Sequence, residues 1–203
     1  MAHFHRSALR QVFSTAHKIL LNKLITSKLM QLDGNSLVLG SGHEPYHILM
    51  PNVSTLLCTD IEIYPGVDQI VDAHKLPYAN CSFDTVVAIE VFEHLCSPVS
   101  AANEIHRVLS EGGTALVSVP FMFHVHGDPF DYHRFTESGL FELFNKFNDI
   151  RVIAFGNRLH AISDIVTTAS RPLAVLRIFN HFFSLISRPS VDCPSGYIVE
   201  LRK

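Results

Sequence analysis

Two glycines one residue apart close a short apolar run in Ser36-Leu-Val-Leu-Gly-Ser-Gly-His43. Gly40 removes the side chain that a tight turn cannot hold, and Gly42 lets a ligand approach the backbone closely. A buried parallel strand hands over to a nucleotide-like ligand in this way. Asp60 ends a second apolar run about 20 residues on, the spacing at which a carboxylate reaches ribose hydroxyls. The Gly-x-Gly pair alone says little; with Asp60 at that distance it marks a nucleoside-binding edge.

Such residues act together only if strands deliver them to one edge. Leu37 to Leu39 reads as a short buried strand, Ser54 to Thr59 as a second, and Gln69 to Val71 as a third after the Tyr64-Pro-Gly-Val67 turn. Phe83 to Ile89 carries the continuous β-branched run Thr-Val-Val-Ala-Ile, the pattern of a strand covered on both faces. Ser97-Pro98 reads as an N-cap with proline in the first turn, opening a helix that Glu111-Gly-Gly113 stops. Thr114 to Val119 is a further strand. Thr136 caps a helix carrying Leu140, Phe141, Leu143, Phe144 and Phe147, and Ile150 to Phe155 and Tyr197 to Leu201 are the late strands. This alternation predicts an α/β, Rossmann-like doubly wound sheet with the motifs along one edge. Before it, residues 6 to 32 read as an amphipathic helix on Leu9, Val12, Phe13, Ala16, Ile19, Leu20 and Leu24, ended by Asp33-Gly-Asn35.

Composition narrows the class. With 47% hydrophobic and 17% charged residues over 203 positions, the chain is globular and long enough for its own core. A net charge of -3 without a basic run argues against nucleic acid as partner. Cys58, Cys81, Cys96 and Cys193 form no Cys-x-x-Cys pair, which fits a reducing compartment and no structural zinc. No apolar h-region opens the chain and no run of apolar residues is long enough to span a bilayer, so the expected location is cytoplasmic.

The ordered set of motifs resembles the class I S-adenosylmethionine-dependent methyltransferases, in particular the small type 11 domains. It comprises Leu39-Gly-Ser-Gly42, Thr59-Asp-Ile61, Asp72-Ala-His-Lys-Leu-Pro-Tyr78, Ser82-Phe-Asp84, Glu90-Val-Phe-Glu-His94, Glu104-Ile-His-Arg-Val-Leu109 and Gly112-Gly113, within residues 36 to 147. His126-Gly-Asp-Pro-Phe-Asp-Tyr-His-Arg-Phe-Thr136 is similar to a segment found in part of that family. The resemblance implies a mostly parallel sheet with an antiparallel last strand and S-adenosylmethionine as cofactor. It places Gly40, Ser41 and Gly42 under the methionine part, Asp60 on the ribose hydroxyls and Ile61 on the adenine face. Asp72 and the Ala73 amide fall near the adenine amino group, and Glu90 near the methionine end. The family's usual acid two residues before the first glycine is Val38 here, and its third glycine is Glu44.

Methyl transfer from a sulfonium needs alignment above all, and a hydroxyl or amine acceptor also needs its proton taken. His94, His124, His126, Asp131 and His133 are candidates, with Arg134 placed to hold an anionic acceptor group or to pair with Asp128 or Asp131. His94, His126, Asp131 and Arg134 are the expected catalytic set. The chain lacks the Asn/Asp-Pro-Pro-Tyr/Phe element and the Pro-Cys nucleophile, which leaves a small molecule, a glycan or a lipid-linked metabolite as acceptor. Two other classes stay open: a non-catalytic binding protein on the same scaffold, and a metal-dependent hydrolase suggested by His124-Val-His126-Gly-Asp128, which lacks its final histidine. The expected domains are a cap or interface at 1–35, a methyltransferase core at 36–157, an apolar helical insertion at 158–192 and the last core strand at 193–203. The insertion is expected to pack on the sheet, to form a homodimer, or to touch a membrane peripherally.

Overall fold

The computed structural model describes residues 14–127, 130–170, 172–180, 182, 188–190 and 192–203. Chain order is α1 (Ala16–Leu29), β1 (Gly34–Leu39), a one-turn α2 (Tyr46–Leu49), β2 (Val53–Asp60), β3 (Gln69–Ile70) and β4 (Phe83–Ile89). A 3-10 turn (Phe92–His94) follows, then α3 (Pro98–Val108), β5 (Leu109–Pro120), α4 (Glu137–Leu143), β6 (Asp149–Phe155), α5 (Arg158–Ala169), a 3-10 helix (Pro172–Phe179) and β7 (Gly196–Arg202).

The seven strands form one sheet in the order β3-β2-β1-β4-β5-β7-β6. β2, β1, β4 and β5 pair in parallel, and β3 adds to β2 in parallel. β7 runs against both neighbours. Lys203 bonds Gly113 while the Phe121 amide reaches Ser195, and Asn148 bonds Arg202 while the Ser195 amide reaches Phe155. The expected doubly wound sheet with an antiparallel last strand is therefore the observed one. Its centre is made by Leu37, Val38, Val86, Val87, Ala88 and Val117, each at most 2% exposed, as apolar strands covered on both faces require.

Several local expectations shift. Gly112 and Gly113 do not stop α3: the helix ends at Val108, where the Leu109 amide donates to the Ile105 carbonyl as the chain turns into β5, and both glycines lie inside that strand. Gly113 is needed there because a Cβ would meet the Asp84 carbonyl oxygen at 3.0 Å. Ser97 precedes α3 with Pro98 in its first turn, but its hydroxyl pairs with Ser100 Oγ at 2.8 Å instead of capping an amide. Thr136 does cap α4, accepting from the Gly139 amide, but α4 ends at Leu143. α1 buries His17, Leu21, Ile25 and Leu29, a stripe one step round from Ile19, Leu20 and Leu24, which stay half-exposed. The part of the expected helix before residue 14 lies outside the described residues.

The chain divides into two compact units. One holds Thr26–Val119, His126–Ile153 and Ile198–Lys203, hence most of the sheet. The other holds the described residues up to Ile25, Pro120–Val125 and Ala154–Tyr197, so the first part of α1 shares a unit with α5 and the 3-10 helix after it. In it, the Asp164 carboxylate of α5 accepts from the Ala16 and His17 amides at 2.6 and 2.8 Å, closing the first turn of α1. His17 sits between the Phe123 and Phe155 rings, both 5.0 Å away, with Nδ1 3.2 Å from Ser195 Oγ. Asn157 caps α5 by accepting from Leu159 and His160. Leu159, Ile162, Ile165, Val166, Val175, Leu176, Ile178, Phe179 and Phe182 are 41% to 60% exposed. Among the described residues no helix is long and apolar enough to cross a membrane.

Candidate active site

The ends of β1, β2 and β4 bring Gly40, Asp60 and Glu90 to one edge, and the turn after β3 adds Asp72. Together they line a cavity of about 570 Å³, a volume suited to a small-molecule ligand. Gly40, Gly42, Asp60, Ile61, Asp72, Ala73, Glu90 and His94 all face it.

Backbone geometry explains the glycines. Gly40 has φ +63, and a Cβ there would stand 2.5 Å from Val91 Cγ2. Gly42 has φ +52, but a Cβ there would meet nothing within 4 Å, so it keeps the ligand's space open instead of relieving a packing clash. Asp60 folds the loop over itself: Oδ2 accepts the Gly42 amide at 2.8 Å and Oδ1 the Glu62 amide at 3.2 Å. A carboxylate has about four acceptor positions, so each oxygen still has capacity for a ribose hydroxyl. Ile61 is 59% exposed at the rim, an apolar side chain offered to a flat ring. Ser41 departs from expectation. It is 2% exposed and absent from the cavity wall; its amide donates to the Thr59 carbonyl at 2.9 Å and ties the loop to β2. Glu44 is exposed and also off the wall, so it does not stand in for the acid missing at Val38, which is fully buried in β1.

On the adenine side, Asp72 Oδ1 accepts the His74 amide at 2.9 Å and the His74 ring Nδ1 at 2.6 Å. The His74 amide and ring hold the Asp72 carboxyl below its ordinary value. His74 Nε2 accepts from the Ser97 amide at 3.3 Å, which leaves the ring proton on Nδ1. His74 thus pins Asp72 to the start of α3. No role is legible for it in the sequence beyond the Asp-x-His spacing that lets a side chain fold back on its neighbour two residues on.

Glu90 ends β4 with φ +56, a left-handed backbone that a glutamate adopts only when its surroundings enforce it. Ser118 of β5 supplies the restraint: its hydroxyl donates to Glu90 Oε1 at 2.7 Å, while the Glu90 amide reaches Ser118 Oγ and the Ser118 carbonyl, each at 3.1 Å.

Beyond Glu90 lies the other half of the site. The Glu93 carbonyl accepts the Tyr132 and His133 amides at 2.7 and 3.2 Å, docking the loop after β5 onto the loop after β4. His94 Nδ1 donates to the Phe130 carbonyl, leaving its Nε2 lone pair available. His126 lies edge-on to His94, ring centroids 5.1 Å apart. Asp131, its side chain 2% exposed, accepts the His126 amide at 2.9 Å and takes both terminal nitrogens of Arg134. Burial raises the Asp131 pKa, but the Arg134 and His126 hydrogen bonds outweigh it and bring it to about 2. A carboxylate so held is a poor proton acceptor at neutral pH, so Asp131 and Arg134 form the structural pair, and Asp131 positions His126. Asp128 lies outside the described residues. His124 lies against Phe123 within the other unit, ring centroids 4.4 Å apart.

Residues 40–117 match the family model described as a methyltransferase domain. The match runs from the end of β1 into β5 of a sheet that has the class I methyltransferase fold. A protein of Encephalitozoon cuniculi (strain GB-M1) that carries a methyltransferase name is 41% identical over 51 residues, 24% of each chain. The match to that curated relative thus spans about a quarter of its length. An S-adenosylmethionine-dependent methyltransferase structure from Thermotoga maritima superposes with TM-score 0.62 at 16% identity, covering 98% of this chain and 95% of that one. The [4+2]-cyclase SpnF superposes with TM-score 0.55 at 20% identity, covering 88% and 79%. At such identities these solved structures show the methyltransferase fold and nothing of the acceptor, and a cyclase on the same fold underlines that fold alone does not fix a reaction.

Proposed function

We propose that the protein transfers a methyl group from S-adenosylmethionine to a small-molecule, glycan or lipid-linked acceptor. The observation that carries this reading is the cavity edge, where a positive-φ glycine cradle, Asp60, Ile61, Asp72 and Glu90 converge in the order of their strands. The bound cofactor supplies an already activated sulfonium methyl, whose transfer leaves a neutral thioether. Asp60 binds the ribose, Ile61 covers the adenine, and Asp72 with the Ala73 amide receives the adenine edge. Gly42 keeps the methionine path open, and Glu90, fixed by Ser118, closes that end. On the acceptor side His94 lines the cavity and His126 lies edge-on to it.

Titration calorimetry with S-adenosylmethionine and its demethylated product tests the reading. Micromolar binding of both is expected, and no binding of either at millimolar concentration would leave a binding protein on a methyltransferase scaffold.

A further inference from the structure

Glu93 is the least comfortable side chain in the molecule. It is 0% exposed, and neither carboxylate oxygen accepts a hydrogen bond. An isolated buried carboxylate is costly, and such groups are ordinarily protonated or matched by a cation.

Glu93 is also not alone. One ligand atom each from Glu93, His94 and His126 lies within 4.8 Å of the other two. Glu93 Oε1 stands 3.6 Å from His94 Nε2, close to the roughly 3.3 Å edge of a tetrahedron with bonds of 2.0–2.1 Å. Both rings are oriented as metal-bound histidines usually are, by a partner on the other nitrogen. His94 Nδ1 is held by the Phe130 carbonyl. His126 Nδ1 is 3.3 Å from the Asp131 carboxylate, which the Arg134 fork fixes in turn.

We infer that Glu93, His94 and His126 bind a divalent transition-metal ion of the zinc type at the acceptor side of the cavity. Two imidazoles and one carboxylate are the donor set that such ions take, and three protein ligands leave a coordination position open. Of the three ligands, His94 lines the cavity. The ion would use the same Nε2 lone pair that a histidine base needs, so metal content decides between the two roles of His94. The ion's use in methyl transfer rests on the reading proposed above; its binding does not.

The test uses the untagged full chain, stripped with a chelator and titrated with ZnCl2 by calorimetry, with zinc counted by elemental analysis. One Zn2+ per chain at micromolar affinity or tighter is expected. Glu93→Gln and His126→Gln should each abolish or weaken binding at least about tenfold, and Asp131→Asn by about 10–100-fold through loss of the histidine's orienting partner. If Glu93→Gln fails to fold, His126→Gln decides, because that ring is 32% exposed. No stoichiometric zinc, or zinc that both ligand variants retain, overturns the inference; retention would place the ion elsewhere, for example at His74 and Cys96, 3.7 Å apart. Cofactor binding measured on the same stripped protein separates the two claims: intact cofactor binding without zinc binding removes the metal alone.

Discussion

At the residue scale, Asp60 holds two loops while lining the cavity. Its oxygens already organise Gly42 and Glu62, so under the proposed function a ribose would meet a preset carboxylate. Asp60→Ala should weaken S-adenosylmethionine binding by about 1.5–3 kcal/mol, the worth of hydrogen bonds to a charged group. Unchanged affinity in a folded variant would remove the ribose assignment. Asp131 makes a prediction of a different kind, about pH. Its folded pKa of about 2 lies below its ordinary value of 3.8, so its contribution to stability is present above pH 4 and lost as pH falls towards 2. Urea midpoints measured from pH 5 to pH 2 should therefore fall less steeply for Asp131→Asn than for the parent protein. Equal slopes would mean that the Arg134 pair does not set the titration.

At the element scale, the loop after β1 separates folding from binding within three residues. Gly40 is demanded by its own protein, since Val91 occupies the space of its missing side chain. At Gly42 only the left-handed backbone asks for glycine, since nothing in the protein fills the space of a side chain, and the proposed function gives that space to the ligand. Gly40→Ala should cost about 1–3 kcal/mol of stability in urea unfolding, from left-handed strain plus the contact. Gly42→Ala should cost less stability and yet weaken the cofactor, as calorimetry on the same samples would show. Equal stability losses would contradict this division. The same loop shows what the sequence carries. A Gly-x-Gly after an apolar run and an acid 20 residues on express a periodic, local rule, and so both were legible along with the strands that bear them. Ser41 was misplaced because a loop residue's direction depends on its tertiary bond, here to Thr59. His74 and Glu93 stood inside quoted motifs without a role, since neither a ring folded back on Asp72 nor a carboxylate stripped of partners has a sequence period. Gly112 and Gly113 were misread as a helix stop because their spacing suits a C-cap, while Gly113 in fact answers the Asp84 backbone across the sheet.

At the scale of the whole molecule, the two compact units expose different chemistry. The net charge of -3 belongs to the chain as a whole. Of the two acids in residues 158–192, Asp164 is 0% exposed and occupied with the first turn of α1, and Asp192 is exposed. Arg158 and Arg177 share the segment with nine apolar side chains that are 41% to 60% exposed. Arg177 is itself spent in part on the Thr167 carbonyl, 3.1 Å away, which joins the 3-10 helix to α5 and holds the apolar side chains of both in place. Exposed apolar side chains beside arginines are the composition that an anionic lipid surface takes up. The protein should therefore sediment with vesicles of phosphatidylcholine and phosphatidylglycerol at low salt, and less with phosphatidylcholine alone. Ile162→Glu and Phe179→Glu should each weaken that association about tenfold or more, since each removes most of the transfer free energy of a large side chain, roughly 1.5–3 kcal/mol. Cofactor affinity should not change in either variant, because neither residue lines the cavity. Failure to sediment, or sedimentation that both charges leave intact, would return these helices to the role of covering for a protein surface and leave the acceptor to be sought among soluble small molecules and glycans.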